Sequence, residues 1–410
     1  MENVLKNRNS TMELLSTETK NKVLESMMKV IDKNRSQILQ ANQADLDAFE
    51  REDQALYDRL VVDNAKVDDM IKAVGQVREQ ADPVGKTISQ RTLENGLEVV
   101  NQTAPFGTIM IIYESRPDVT IEAAVLAFKA NSKILLKGGK EAIHSNKALV
   151  ECWHEALKEN GLSTNWIELF TLNRQETQAF LKNPSQKLDL IVPRGGEQLI
   201  AFVKEHAQCA VLVSGRGNNF AYVASDADWE QAKKVMINAK THKISGCNAL
   251  DKILVDKDLP GLESKLQDLE QVFTAYQVEL LAGDKVLPYL TSAKKISSED
   301  IWYEEFLALK ACIGLVNGLD EAIGKINRYS GGHSSTILTS DKNKAARFME
   351  QVDSAAVYHN ASTRFTDGGQ MGVGAELAIS TDKLHHRGPL GLEQLVTNKY
   401  YVFGNGQIRE

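Results

Sequence analysis

No run of apolar residues in this chain approaches the length of a membrane span. Its opening, Met1-Glu2-Asn3, has no apolar core of the kind a secretory leader needs, so neither membrane nor export is expected. Cysteine is scarce, with four in 410 residues, far apart and with no Cys-x-x-Cys. That excludes a disulfide framework and the familiar zinc spacings, gives no reason to expect a metal, and makes a reducing cytoplasm the natural location. Positive charge is not in excess: 48 Lys and Arg stand against 55 Asp and Glu, for a net charge of −7, mixed in sign along the chain. Nucleic acid is therefore not the expected partner, although a local basic pocket for a small anion stays open. Gly-x-Gly-x-x-Gly and Walker loops are both missing, so the standard dinucleotide and nucleoside-triphosphate loops are unsupported. A hydrophobic share of 42% and a charged share of 25% are ordinary for a soluble globular protein, and the length suffices for two or three domains with full cores.

The stretch Lys243-Ile244-Ser245-Gly246-Cys247-Asn248-Ala249-Leu250 stands out. It lies between an amphipathic run, Trp229 to His242, and an apolar one, Ile253-Leu254-Val255. Ser, Gly and Asn around Cys247 let the chain turn tightly and leave the sulfur reachable. A thiolate is the attacking species, so positive charge or backbone N–H groups should be near; Lys240, His242 and Lys243 are close in sequence. Cys152, Cys209 and Cys312 border apolar runs and read as small core hydrophobes. Local context alone leaves open whether Cys247 is a nucleophile or another of these.

Residues 16–82 read as helices, with apolar spacing through Val23, Leu24, Met27, Val30 and Ile31 and again from Val67 to Val77. Glu94-Asn95-Gly96-Leu97 signals a hairpin within 88–103, either a plain edge hairpin or an arm reaching to a neighbour. From Thr108 short apolar strands (108–113, 133–137, 166–172, 188–192, 210–213) alternate with helices, which implies a parallel sheet covered on both faces. After Cys247 the alternation resumes with strands near 252–255, 277–281, 311–316, 335–338 and 355–359, a second α/β unit with Cys247 at the seam. The polar, Gly-rich stretch 360–376 reads as a site-shaping loop, and 397–403 is β-like.

Three Gly turns follow expected strands: Lys137-Gly138-Gly139-Lys140, Arg194-Gly195-Gly196 and Gly215-Arg216-Gly217. Each sets a cation beside backbone that can approach a ligand. Ligands of parallel sheets bind beyond the carboxyl ends of the strands, so three such turns on one sheet edge would suit a phosphorylated cofactor or substrate.

Several blocks resemble the gamma-glutamyl phosphate reductases, the glutamate-5-semialdehyde dehydrogenases of proline biosynthesis, within the aldehyde dehydrogenase superfamily. They are Ile112 to Thr120, Ile134 to Glu141, Ile191 to Gly196, Val235 to Lys240, Cys247 to Leu250, Val357 to Gln370 and His386 to Glu393, collinear over nearly the whole chain. The resemblance implies an α/β fold of two parallel-sheet domains plus a small β extension for oligomerisation. The cofactor-binding domain would be 1–82 and 106–242, the catalytic domain 243–380, and the extension 83–105 and 381–410. It implies Cys247 as nucleophile with Asn248 beside it. Lys137 and Gly138 would lie at the adenosine ribose, Arg194, Gly195 and Gly196 near the pyrophosphate and nicotinamide, and Glu305 at the nicotinamide ribose. Arg116, Arg364 and Thr366 would meet substrate, with Arg194 also a candidate for an anion; an ordinary loop ion pair is the alternative for each Arg.

The implied reaction is NADPH-dependent reduction of L-glutamyl 5-phosphate to L-glutamate 5-semialdehyde and phosphate through a Cys247 thioester. The oxyanion would be held by backbone N–H groups near Cys247 and by the Asn248 amide. A homo-oligomer, and a functional link to the glutamate 5-kinase that makes the substrate, come with the resemblance. The first rival is an aldehyde-oxidising dehydrogenase of the same fold; a Cys hydrolase or acyltransferase needing no nicotinamide and a non-catalytic binding protein are the others. Aldehyde-oxidising enzymes place a Glu ahead of a Gly-Gly turn to activate water, and the comparable place here, Val213-Ser214-Gly215-Arg216, has none. Asp251, His386 and Asn398 depart from the commoner Glu, Ala and Tyr.

Overall fold

The computed structural model describes residues 13–50, 54–384 and 386–409; the expectation for Met1-Glu2-Asn3 lies outside them. Contacts divide the chain into two compact units: the chain up to Val213 with 373–378 and 390 onward, and 214–372 with 379–389.

The first unit opens with four helices, α1 (Thr17–Lys33), α2 (Arg35–Asp47), α3 (Gln54–Leu60) and α4 (Asn64–Glu79). Ser16 and Asp63 cap α1 and α4 by accepting from the backbone N–H of Thr19 and Lys66, which satisfies donors the first turn leaves over. The apolar stripe Val23, Leu24, Met27, Val30, Ile31 is buried as its spacing predicts. A hairpin of β1 (Thr87–Thr92) and β2 (Glu98–Pro105) follows. Its loop has three residues rather than two: Gly96 N–H donates to Leu93 O, Leu93 N–H donates to Leu97 O, and Gly96, not Asn95, takes the positive φ, +85°.

Then come β3 (Thr108–Tyr113), α5 (Pro117–Lys129), β4 (Lys133–Lys137), α6 (Ile143–Glu159), β5 (Ile167–Leu169), α7 (Arg174–Lys182), β6 (Leu190–Arg194), α8 (Glu197–His206) and β7 (Ala210–Val211). The strands form a parallel sheet in the order β5-β4-β3-β6-β7. All six residues of β3 are buried, as a central strand covered on both faces requires. The chain reverses direction across the sheet between β3 and β6, where Tyr113 pairs with Arg194, so the crevice beyond their carboxyl ends is this unit's switch point.

The second unit holds β8 (Asn219–Val223), α9 (Trp229–Thr241), β9 (Leu250–Asp256), α10 (Leu262–Ala275), β10 (Glu279–Ala282), β11 (Lys294–Lys295), β12 (Lys310–Val316), α11 (Gly318–Tyr329), β13 (Ser334–Leu338), α12 (Lys342–Gln351) and β14 (Ala356–His359). Its parallel sheet runs β11-β10-β12-β9-β8-β13-β14. Because β8 sits between β9 and β13, the domain boundary expected at 242/243 falls at 213/214. It also removes Gly215-Arg216-Gly217 from the edge that carries the other two Gly turns: this turn enters a strand of the other sheet.

Two short strands, β15 (Glu376–Ser380) and β16 (Gly388–Gly391), pair as a separate ribbon. The last strand, β17 (Val396–Phe403), pairs antiparallel with β2, so the hairpin and the tail share a three-stranded sheet, β1-β2-β17. Among the described residues no helix is long and apolar enough to cross a membrane.

Candidate active site

In the second unit Cys247 lies on the loop that enters β9, at the amino end of parallel strands, so the carboxyl-end rule would not have found it. Consecutive turns shape the loop, with Gly246 N–H donating to Lys243 O at 3.2 Å and Ala249 N–H to Gly246 O at 2.9 Å. The result leaves Cys247 exposed, whereas Cys152 and Cys312 are buried and Cys209 is half-buried. Burial pushes the thiols of Cys152 and Cys312 up to about 12 and that of Cys209 up to about 11. Iodoacetamide at about pH 8 is therefore expected to label Cys247 first, read by peptide mass, since only thiolates react at useful rates. Prior labelling of any other cysteine would contradict this arrangement.

The loop is anchored from beneath by Asn219, a residue the sequence reading passed over. Its fully buried Nδ2 lies within hydrogen-bonding distance of three carbonyls, Gly217 O at 2.8 Å, Cys247 O at 2.8 Å and Ala249 O at 2.7 Å. Gly217 permits this approach, because a Cβ there would stand 2.0 Å from Cys247 O. The available signal was the pair Asn218-Asn219 heading an apolar run: polar residues at the buried start of a strand need partners there. Asn219→Ala is expected to cost about 1–3 kcal/mol of stability, measured by urea unfolding, because it orphans buried carbonyls. A stability within error of wild type would contradict the anchoring.

Asn248 is buried and faces a neighbouring loop. Its Nδ2 donates to Arg364 O at 3.2 Å and Thr366 O at 2.9 Å, and its backbone carbonyl accepts from Thr363 Oγ1 at 2.7 Å. Both amide hydrogens are thus spent on carbonyls, and the side chain ties two loops together. Thr366, expected to meet substrate, is 1% exposed, and its hydroxyl bridges Ser334 Oγ and Tyr358 OH, each at 2.7 Å. Its side chain is taken up in holding the loop. Lys240, expected near the thiol, is buried in an ion pair with Asp251. His359 Nε2 lies 3.0 Å from Thr339 O.

Arg364 is the cation this loop presents. Its Nη1 stands 2.5 Å from where a Cβ on Gly246 would be, and its buried Nε has no hydrogen-bond partner. Burial lowers the guanidinium's pKa, while the charge of Cys247, and then that of Asp367, works the other way. The attraction is mutual, so Arg364 favours the thiolate. No carboxylate lies within ion-pair distance of Arg364 among the described residues.

Of the remaining candidates, Glu305 lies in the second unit between β11 and β12, and the others lie at the carboxyl ends of β3, β4 and β6 in the first unit. Arg116, after β3, pairs with Asp118 at 2.7 Å, and Arg194, at the end of β6, pairs with Glu122 at 3.4 Å. Both thus carry ion pairs within this unit. Gly195 and Gly196 lead into α8, whose N-terminus has no side-chain cap; Gly196 N–H donates to the Glu114 carboxylate at 3.3 Å. Lys137 ends β4, and its ammonium donates to Gly138 O at 3.3 Å.

The profile of the aldehyde dehydrogenase family matches residues 6–278 and 287–376. A gamma-glutamyl phosphate reductase of Geobacillus kaustophilus is 42% identical over 412 residues, covering 99% of this chain and 97% of its own. One from Dictyoglomus thermophilum is 39% identical, covering 100% and 99%. The crystal structure of the gamma-glutamyl phosphate reductase of Thermotoga maritima matches with a TM-score of 0.93 at 39% identity, covering 100% of this chain and 99% of that one. The chain belongs to the gamma-glutamyl phosphate reductase family, a branch of the aldehyde dehydrogenases. It is an oxidoreductase with the α/β fold the resemblance implied, and the family implies a nicotinamide cofactor. An acetylating aldehyde dehydrogenase of Geobacillus thermoglucosidasius, 16% identical with a TM-score of 0.68, shares the fold.

The first unit's residues fit such a cofactor. Asn146 Nδ2, a buried donor without a partner, stands 2.2 Å from where a Cβ on Gly138 would be, and the uncapped start of α8 offers backbone N–H groups to an anion. The Gly turns were readable as turns, but no Gly-x-Gly-x-x-Gly in this chain marked them as a cofactor loop.

Proposed function

We propose that this chain reduces L-glutamyl 5-phosphate to L-glutamate 5-semialdehyde and phosphate with NADPH, the second step from glutamate to proline. The observation that supports it best is the exposed Cys247 thiol on a loop anchored by Asn219 with Arg364 alongside. Cys247 Sγ attacks the γ-acyl carbon, the C–O bond to phosphate breaks, and phosphate departs to leave a thioester. Backbone N–H groups beside Cys247, other than those of Gly246 and Ala249 that close the turns, stabilise the oxyanion, and Arg364 holds an anionic group of the substrate. When bound, the reduced nicotinamide supplies the hydride that takes the thioester to the aldehyde level, after which the C–S bond breaks and the thiolate is regenerated. Lys137, Gly138, Arg194, Gly195 and Gly196 would hold the adenosine and pyrophosphate portions and Glu305 the nicotinamide ribose.

The place where an oxidising relative would carry a water-activating Glu is occupied by Ser214-Gly215-Arg216. A thioester here is set to be reduced, or in reverse cleaved by phosphate, rather than hydrolysed. The test compares semialdehyde oxidation by NADP with and without inorganic phosphate. Turnover that requires phosphate supports the reading, and equal rates without it favour the aldehyde-oxidising alternative.

The β1-β2-β17 sheet supports the oligomer reading. Tyr400, Val402 and Phe403 on its edge strand are each more than half exposed, a cost in water that a second copy of this chain would relieve. Phe403→Glu is expected to shift the native mass, measured by light scattering, toward the monomer; an unchanged mass would contradict this. A reducing cytoplasm, and operation alongside the kinase that makes the acyl phosphate, complete the proposal.

A further inference from the structure

Three charged residues of the second unit lie almost wholly out of water: Lys240 and Lys252 at 0% exposure and Asp251 at 2%. Lys240 Nζ meets Asp251 Oδ1 at 2.7 Å. The other Asp251 oxygen accepts from Phe306 N–H at 2.8 Å. Lys252 Nζ donates to Glu304 O at 2.7 Å and stands 3.7 Å above the centre of the Phe306 ring. Asp251 and Lys252 are consecutive on β9 yet grip the same segment. The pairing of β9 with β8 explains this: Leu250 faces Asn219 and Lys252 faces Phe220, so Asp251 is the extra residue of a bulge. Bulges re-aim side chains in this way.

The two peptide groups gripped, Glu304 C=O and Phe306 N–H, flank one residue, Glu305. The segment around it has no regular secondary structure apart from a preceding turn, and Leu307 sits at a φ of +47°, a conformation non-glycine residues hold only when their surroundings impose it. Burying three charges costs more than packing an apolar trio of the same volume, so stability alone does not account for them. Burial lowers the Lys252 ammonium to about 8, which leaves it protonated at neutral pH and able to keep its bond to Glu304 O.

We propose that Asp251 and Lys252 are positioning residues that fix the Glu305 carboxylate for the ribose hydroxyls of the nicotinamide cofactor. This rests on the reading of Glu305 given above. The test measures NADPH dissociation constants by nucleotide fluorescence at equilibrium for wild type, Lys252→Met, Glu305→Gln and the double variant, with Cys247 alkylation rates to verify that the nucleophile loop is intact. Glu305→Gln and Lys252→Met are each expected to weaken NADPH binding by about tenfold, and the double variant no more than Glu305→Gln alone, because the two act through one carboxylate. Lys252→Arg should restore part of the loss. If Glu305→Gln weakens binding and Lys252→Met does not, or if the two losses multiply in the double variant, the positioning role is overturned while the Glu305 reading stands. If Glu305→Gln binds NADPH like wild type, the Glu305 reading itself fails and the positioning role with it. Should Lys252→Met not fold, Phe306→Leu, which removes the ring beneath the ammonium, takes its place with the same outcomes.

Discussion

Cys247→Ser is expected to lower phosphate-dependent oxidation of glutamate semialdehyde by on the order of 10⁴-fold, because a serine hydroxyl with no adjacent base is a far weaker nucleophile than a thiolate. The fold should not suffer: the side chain is exposed, and substitutions at such positions stay within about 0.5 kcal/mol. The loss should appear in kcat, with NADPH binding unchanged. Equal rates in the two proteins would remove Cys247 from the chemistry.

Arg364→Ala is expected to reduce kcat/KM for the acyl phosphate by about 10²–10³-fold, the equivalent of about 3–4 kcal/mol for losing a partly desolvated cation opposite an anion. Two further effects separate this from general damage. KM for NADPH should hold while KM for the acyl substrate rises. The alkylation profile of Cys247 should also move to higher pH, since removing a neighbouring cation disfavours the thiolate. Arg364→Lys should recover the pH profile better than kcat/KM, because an ammonium keeps the charge but not the planar fork. Normal KM values in Arg364→Ala would assign anion binding elsewhere.

The alternation of apolar strands and amphipathic helices made the two parallel sheets legible from Thr108 onward, since period and length carry that information locally. The strand Asn219–Val223 escaped because two Asn residues and a Gly-Arg-Gly turn disguise its start as a loop. That one omission moved the domain boundary by about one strand and one helix and misassigned the third Gly turn. Cys247 and Arg364, on which the proposed chemistry rests, were nominated from their sequence blocks. The functions of Asn219, Asn248 and Thr366 were not legible, because each depends on carbonyls and hydroxyls brought in by tertiary structure, up to 118 residues away for Asn248. The buried Lys240 and Lys252 were invisible for the same reason: periodicity gives no hint that two lysines on a charged stretch turn inward.

The central claim is that the acyl group passes through Cys247. Mixing the enzyme with glutamate semialdehyde and NADP in the absence of phosphate, quenching in acid and mapping the peptides by mass tests it directly. The account predicts a glutamyl adduct on the peptide bearing Cys247, formed with a stoichiometric burst of NADPH and discharged when phosphate is added. A burst without that adduct, or an adduct on another residue that phosphate discharges equally well, would contradict it.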